Sequence, residues 1–387
     1  MGRTAAGFAN GFNIRKVLEP LLFSAILLCM IGAITMPIMM HGDIGFGDSP
    51  SYTSMFRFDF ANAKEIHRYR LLGPLLARCF QEVLQQFGLA KSAEHLGDMQ
   101  NFQDAVLRIC FWMSNLISTF VTAWALYLLI KPLKPRILEA IGAAMVYFTS
   151  RGYLFNIGTP VVDGWEIAGL SIAAVLLQKR LYTSALLTSI LTAFAKETSI
   201  FFIGVAVIVM ASRDEECGKF RRICICALAA LTLTIAPQIT EAIIKGYEEY
   251  LMGNLRLSEE GTYSTAAQHL FNFINNIIGS PATTIKAFMT GLIKMNSPVL
   301  LIGGLAGIST CMRSGETQHM ESIGRYYSLL IFTVTGIVAG VFSGVFGMRF
   351  LETAFVLIPF LIYGFRKVSS HDEDGECNTD YLSVKYK

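Results

Sequence analysis

The sequence predicts an all-α, polytopic transmembrane protein with about ten spans, and three observations support this fold class. Hydrophobic residues make up 53% of the 387 residues and charged residues only 16%, whereas a soluble domain normally carries about 25% charged residues. The mean hydropathy is +0.49. Long apolar runs recur along the chain, separated by short basic clusters. This composition predicts that lipid surrounds most of the chain. Lipid favours helices because a helix satisfies its backbone hydrogen bonds internally.

Ten apolar segments are the candidate spans. They are residues 18–40, 105–130, 137–150, 165–178, 181–195, 199–211, 223–244, 298–312, 326–346 and 350–365. The first is interpreted as a span because it is longer than the hydrophobic region of a signal peptide and lacks a small-residue cleavage site. Several segments are shorter than the about 20 residues that a straight span needs, which leaves broken or re-entrant helices open.

The basic residues between these segments predict the orientation. They fall mainly in loops on one side, at Arg15–Lys16, Lys131–Arg136, Lys179–Arg180, Arg213–Arg222, Arg313–Arg325 and Arg366–Lys367. Cytoplasmic loops carry an excess of Lys and Arg, so both termini are predicted to be cytoplasmic. In a bacterial host this is the cytoplasmic (inner) membrane, with the opposite face outward; in a eukaryote that face would line the endoplasmic reticulum. The net charge of +3 is too small to indicate a nucleic-acid partner.

The predicted organisation is a transmembrane domain over residues 1–366 and a disordered cytoplasmic tail over 367–387. The tail is polar and acidic, which is typical of disorder. Two long outer loops cover about residues 41–104 and 245–297. Within the first, Leu71–Leu89 has apolar residues at helical spacing with polar interruptions, which predicts a helix lying along the interface. Residues 264–293 have similar patches.

The first outer loop contains two candidate catalytic acids, Asp43 and Asp48, among glycines and Pro50. A glycine-rich turn lets a backbone approach a ligand closely and directs a carboxylate without helical constraints. Such an acid is suited to act as general base on a hydroxyl group, or to bind a divalent metal. Tyr52 follows in the same motif as a candidate substrate contact. The alternative is that both acids are solvated loop residues.

Basic residues precede the interfacial helix in the motif His67-Arg68-Tyr69-Arg70. Arginine presents bidentate donors that match phosphate oxygens, so Arg68 and Arg70 are candidate phosphate ligands and His67 a candidate substrate contact. The alternative is that these side chains anchor the chain to lipid headgroups.

Three further motifs carry charge between apolar runs. Asp163 and Glu166 are three residues apart at the start of a span, either as substrate contacts or, for Asp163, as a helix cap. Lys196 and Glu197 are adjacent between two very apolar segments, where charge is costly unless it is paired or hydrated. Arg349 lies between the last two spans, where it is suited to bind an anionic headgroup unless Glu352 simply pairs with it.

Several enzyme classes lack their usual motifs in this chain. The sequence contains no nucleophile elbow, Walker loop, dinucleotide glycine fingerprint or HExxH motif. The eight cysteines have no zinc-ligand spacing. Hydrolase, ATPase and zinc-protease functions therefore lose their usual support.

The arrangement of these motifs resembles that of the GT-C class of integral membrane glycosyltransferases. The resemblance rests on the acid-bearing Gly47–Tyr52 motif, on Tyr69–Pro74 opening an interfacial helix, on Pro160-x-x-Asp163, on Lys196-Glu197-Thr198 and on Arg349 before the last span. Together these cover most of the chain, although each motif is short. The first loop lacks the adjacent acidic pair that is frequent in the family, and no soluble C-terminal domain follows.

The resemblance implies sugar transfer from a polyprenyl-phosphate-linked donor to a glycan or lipid acceptor, with inversion at the anomeric carbon. It implies that Asp48, or else Asp43, is the base, and that Arg70, Lys196 and Arg349, with Arg68, bind the donor phosphate. It leaves a requirement for Mg or Mn open. Three alternatives remain. The first is a polysaccharide polymerase or ligase that relies on Arg and His, and the second is a transporter or flippase of lipid-linked sugars, which would place polar groups near the midplane. The third is a purely structural membrane subunit, against which the costly Lys196-Glu197 pair argues.

Overall fold

The computed structural model describes residues 14–41, 49–59, 63, 70–88, 102–252, 274–314, 320–343 and 346–366. All regular structure in these ranges is helical, which confirms the predicted all-α class. The helices are α1 (Ile14–His41), α2 (Ser49–Phe56), α3 (Leu72–Gln86), α4 (Phe102–Ile130), α5 (Ile137–Phe148), α6 (Arg151–Gly158), α7 (Asp163–Gln178), α8 (Tyr182–Ala193), α9 (Thr198–Arg213), α10 (Lys219–Met252), α11 (Pro281–Met295), α12 (Pro298–Ser314), α13 (Met320–Ser343), α14 (Phe346–Thr353) and α15 (358–366). A further α-helical segment covers residues 274–279. Short 3-10 helices occupy Lys131–Leu133 and Ala354–Leu357.

Three helical stretches among the described residues are long and apolar enough to cross a membrane. They are Val17–His41, Ala105–Leu133 and Gly347–Arg366, and the count rises to five if two sharply bent helix pairs each form one span. These helices are compatible with the predicted integral membrane protein. Each of the ten apolar segments coincides largely with helix, while the number that cross the membrane and their orientation stay predictions.

The outer surface of α10 is typical of a helix that faces lipid. Its exposed large apolar side chains include Phe220 at 81%, Ile223 at 67% and Leu231 at 52%. A soluble monomer rarely exposes a contiguous apolar surface of this kind. The exposed apolar surface of this helix is therefore compatible with contact with lipid.

Two sharp breaks interrupt consecutive helices. The axes of α6 and α7 differ by 119° across the break that contains Pro160. Proline has no N–H to continue the helical ladder, and it disfavours helical backbone at the preceding residue, here Thr159, which is extended. The axes of α11 and α12 differ by 101° at Asn296 and Ser297.

The core is formed where α1, α4, α7, α8 and α9 pack together. Phe23, Leu126 and Leu170 are completely buried at its centre. Helices α7 and α8 approach closely because Gly169 faces the Thr192 side chain, at a distance that leaves no space for a Cβ atom. This contact holds together the two helices whose ends position the charged residues described below.

The described parts of the two predicted outer loops are mostly helical. The predicted helix Leu71–Leu89 is observed as α3, which ends at Gln86 and is followed by Phe87 with 73% of its surface exposed. Helix α11 falls at the end of the second loop and contains no buried residue. Placement of these helices at a membrane interface stays a prediction. The tail at 367–387 lies outside the described residues.

Candidate functional site

Seven charged side chains from distant parts of the chain meet at one end of α7, α8 and α9. We call them the charge cluster: Arg70, Asp163, Glu166, Lys196, Glu197, Arg349 and Glu352. Tyr52 and Thr198 hydrogen bond to members of the cluster. Six of these seven residues were predicted from the sequence as site residues. The seventh, Glu352, was predicted only as a possible partner of Arg349. The cluster contains three cations and four acids.

Helix ends position the acids and the lysine. The break at Pro160 starts α7 at Asp163, so Asp163 and Glu166 project from its first turn. Helix α8 ends in a tight turn in which the N–H groups of Ala195 and Lys196 both donate to the Thr192 carbonyl, at 2.8 and 2.9 Å. This turn directs Lys196 towards the start of α7. Charged groups in a mostly apolar bundle are stable only when they are gathered in this way.

Lys196 is the centre of the cluster. Its ammonium group hydrogen bonds to Asp163 and, at 2.6 Å, to Glu352, and it lies 3.0 Å from Glu166 Oε2. The side chain is only 4% exposed, and the side chains of Glu166 and Glu352 are fully buried. A lysine has three N–H donors. Three carboxylates therefore match these donors, and Lys196 neutralises the acids that surround it.

Arg70 and Glu197 form a second, bidentate pair. Arg70 Nε and Nη2 donate to Glu197 Oε2 and Oε1 at 3.1 and 2.8 Å, and Nη1 donates to the Tyr52 hydroxyl at 2.9 Å. Burial alone would raise the pKa of Glu197, but the Arg70 guanidinium outweighs burial and lowers this pKa to about 2. Burial acts to lower the pKa of Arg70, and Tyr52 and Glu197 outweigh it, so that this pKa lies well above its usual value. Both groups therefore stay charged near neutral pH.

Arg349 is held through one nitrogen only. Its Nη1 donates to Glu352 Oε1 and Oε2 at 3.0 and 3.2 Å and to the Thr198 hydroxyl at 3.4 Å, and lies 3.6 Å from Glu166 Oε2. No hydrogen bond or ion pair joins Nε or Nη2 to the described residues. The side chain is 12% exposed, more than that of Lys196 or Arg70. Nε–H and Nη2–H of Arg349 therefore form a parallel pair of donors that makes no hydrogen bond within the described part of the chain.

The carboxylates Asp163, Glu166 and Glu352 have the spacing of a metal site, with ligand atoms within 4.8 Å of one another. The structure does not fit a resident divalent ion there, because the Lys196 ammonium lies among the same three carboxylates. An ion bound by these oxygens would be next to a cation in a buried site, which is strongly unfavourable. The triad is therefore explained by Lys196, and no chemical step is assigned to a metal.

The predicted site residues divide into two groups. Tyr52, Arg70, Asp163, Glu166, Lys196, Glu197 and Arg349 are brought together in or beside the cluster. Asp43, Asp48, His67 and Arg68 lie outside the described residues. Thr198, which donates to Glu166, was not predicted as a site residue; its position directly after Glu197 was the available signal.

Comparison of the chain with protein-family models, with curated protein sequences and with solved structures finds no match in any of the three.

Proposed function

We propose that this protein is a membrane glycosyltransferase that moves a sugar from a polyprenyl-phosphate-linked donor to a glycan or lipid acceptor. In this proposal the charge cluster binds the donor headgroup at the outer face of the membrane, and all ten apolar helical segments cross the bilayer in a GT-C-like arrangement. The resemblance of the sequence motifs to those of GT-C glycosyltransferases supports the proposal. So does the position of six of the predicted charged residues, which lie together in the charge cluster.

The observation that carries the proposal is the edge of the Arg349 guanidinium formed by Nε and Nη2, which no hydrogen bond or ion pair joins to the described residues. The Nε–H and Nη2–H groups of arginine form the fork that binds two phosphate oxygens. Glu352 and Glu166 hold Nη1 on the opposite side, so the fork is fixed before a ligand arrives. Donors fixed in a site that excludes water stabilise a developing charge more strongly than mobile donors do. Arg349 is therefore the proposed ligand of the departing phosphate.

The other cations have different proposed roles. Lys196 is surrounded by carboxylates and keeps Asp163 and Glu352 in place. Arg70 is fixed by Glu197 and Tyr52, and two of its five N–H groups make no bond to other described residues. Arg70 therefore serves as a second, more deeply buried phosphate ligand. This division refines the sequence-based assignment, in which all three cations bound the phosphate.

The proposed reaction is a direct displacement at the anomeric carbon. A carboxylate accepts the proton of the acceptor hydroxyl, the oxygen forms a bond to the anomeric carbon, and the bond from that carbon to the phosphate oxygen breaks. The leaving polyprenyl phosphate gains one negative charge, which Arg349 and Arg70 offset. The cluster contains four acids and three cations. If one of its carboxylates accepts the proton, three carboxylates remain to balance the three cations.

Two acids are the candidates for the base. Asp48 is the choice that the family resemblance implies. Asp163 is the alternative among the described residues, because its side chain is 18% exposed whereas those of Glu166 and Glu352 are fully buried. Glu197 is more exposed, but both of its carboxylate oxygens accept hydrogen bonds from Arg70.

A transfer assay tests the proposal. Purified protein in liposomes is supplied with a panel of radiolabelled polyprenyl-phosphate sugars and with membrane glycan or lipid acceptors. We expect transfer from one donor class, abolished by either Asp48→Asn or Asp163→Asn and retained by the other variant. Loss with Asp48→Asn supports the first-loop base, and loss with Asp163→Asn places the base on α7. Absence of transfer with every donor, from correctly inserted protein, would refute the enzyme function.

The two bent helix pairs favour transport of a lipid-linked sugar as the second candidate function. Transporters bind substrates where helices are broken, and the charge cluster adjoins the break between α6 and α7. Movement of a labelled polyprenyl-phosphate sugar across the liposome bilayer without transfer would support this candidate. Transfer without such movement would exclude it.

A further inference from the structure

A second polar feature lies at the opposite end of α7 and α8 from the charge cluster. It is a cavity of about 260 Å³ lined by Arg180, Thr183 and Arg221, together with Leu181, Ile225 and Leu228. Helix α7 has 16 residues, so the cavity and the cluster are separated by roughly 24 Å along this helix. That separation approaches the thickness of a bilayer core, about 30 Å. The cavity is therefore distinct from the candidate site.

Among the described residues that line the cavity, two are arginines and none is a carboxylate. Arg221 is exposed and its side chain makes no bond to the described residues, whereas Arg180 is paired with Glu216 and lies 3.8 Å from Asp214. The two segments that surround the cavity, residues 179–183 and 213–222, contain six basic residues against three acidic ones. The local excess of positive charge favours an anionic ligand.

Two helix N-termini meet at the same cavity. Helix α8 begins at Tyr182 and contributes Thr183, and α10 begins at Lys219 and contributes Arg221. No side chain caps the N-terminus of α8. The unpaired N–H groups and the helix dipole at such an end favour a phosphate group. The two helix N-termini and the two arginines therefore adjoin the same cavity.

The turn that carries Arg180 is of a kind that normally contains glycine. Arg180 has a φ of 59°, and the N–H groups of Arg180 and Leu181 donate to the carbonyls of Leu177 and Leu176 at 2.9 and 2.8 Å. This is the pattern of a helix C-terminus in which glycine is favoured at the left-handed position. An arginine here is conformationally costly, and its side chain lines the cavity.

Apolar surface adjoins the charged end of the cavity. Leu181 and Leu228, which line the cavity, are 47% and 42% exposed, and the nearby Ile223 is 67% exposed. The volume is below the roughly 300–1,000 Å³ of pockets that enclose a drug-sized ligand. It suits a headgroup whose acyl chains lie along the exposed apolar side chains outside.

We propose that this cavity binds the phosphate headgroup of an anionic membrane phospholipid. Arg221 and Arg180 contact the phosphate, the first turn of α8 donates to it, and the acyl chains lie against α10. Basic pockets between helices at the membrane surface bind anionic lipids through the same interactions. The inference is independent of the proposed sugar transfer.

Native mass spectrometry of the full-length protein in phosphatidylcholine nanodiscs, with increasing phosphatidylglycerol, tests the proposal. We expect preferential binding of phosphatidylglycerol, weakened about fivefold by Arg221→Gln. The matched control is Arg213→Gln, which removes an exposed arginine from the same loop region but does not line the cavity. This variant is expected to bind like the wild type.

Three results would overturn the proposal. The first is equal binding of phosphatidylglycerol and phosphatidylcholine. The second is an equal loss in the Arg221→Gln and Arg213→Gln variants, which would indicate general surface charge. The third is displacement of the lipid by soluble glycerol 3-phosphate at the same concentration, which would indicate a site for a soluble phosphate ester. Failure of soluble glycerol 3-phosphate to displace the lipid supports the lipid as the ligand.

Discussion

Removal of the Lys196 charge is expected to destabilise the fold strongly. Lys196→Met keeps an unbranched side chain of similar size but leaves Asp163, Glu166 and Glu352 close together without the cation between them. The cluster then contains four acids and two cations. Breaking a buried ion pair by removal of one partner costs about 3–5 kcal/mol, and three acids lose their partner here.

Thermal unfolding in detergent measures this effect. At roughly 2 °C per kcal/mol for a chain of this size, the Tm is expected to fall by about 6–10 °C. The matched control is Lys131→Met, because Lys131 lies 3.7 Å from Glu19 with 42% of its side chain exposed. An exposed pair of this kind contributes at most about 1 kcal/mol. The control is therefore expected to unfold close to the wild type.

A double variant separates charge from packing. Lys196→Met combined with Glu352→Gln again leaves one more acid than cations, as in the wild type. Groups in direct contact couple by about 0.5–3 kcal/mol, so the double variant is expected to be more stable than Lys196→Met alone. A Lys196→Met variant as stable as the Lys131→Met control, or a double variant less stable than the single one, would refute the view that Lys196 neutralises this cluster.

Two further predictions concern stability. Since the pKa of Glu197 is lowered to about 2, its pair with Arg70 stabilises the fold fully above the ordinary glutamate pKa of about 4.3 and loses this effect as the pH falls towards 2. The Tm difference between wild type and Glu197→Gln should therefore be constant from pH 7 to about 5.5 and shrink below about pH 4.5; a difference that grows on acidification would contradict this. Gly169→Ala should destabilise the fold by about 1–3 kcal/mol because the added methyl group meets the Thr192 side chain. The control is Gly142→Ala, which has open space around the added methyl group and should leave the Tm unchanged or raise it slightly. Equal Tm values for the two variants would show that α7 and α8 are less closely packed than described.

The sequence predicted the helices and the cluster members for one physical reason. An apolar segment that is surrounded by lipid satisfies its backbone hydrogen bonds by forming a helix. A charged side chain between such segments requires an oppositely charged partner or water. The second argument identified Lys196 and Glu197, Asp163 and Glu166, and Arg349 before any contact was known. It works because an unpaired charge in an apolar bundle is too costly to persist.

The pairings themselves could not be predicted from the sequence. Lys196 and Glu352 are 156 residues apart, and Arg70 and Glu197 are 127 apart. Only the pairing of Glu352 with its neighbour Arg349 is predictable from the sequence, because three-residue spacing on a helix is a local signal. The contact with Lys196 depends on the bend at Pro160 and on the packing of α14 against α7, and neither the bend angle nor this packing is encoded locally.

The proposed binding of the departing phosphate by Nε and Nη2 of Arg349, which make no hydrogen bond to the described residues, is tested most directly by the kcat of sugar transfer by Arg349→Lys at saturating donor. The variant keeps the charge of the cluster and removes the fork. We expect kcat to fall about 100-fold or more. The matched control is Arg366→Lys, because Arg366 also bonds a carboxylate, that of Glu139, through Nε and Nη2 but lies outside the cluster. A kcat for Arg349→Lys equal to that of the wild type and of Arg366→Lys would contradict the account.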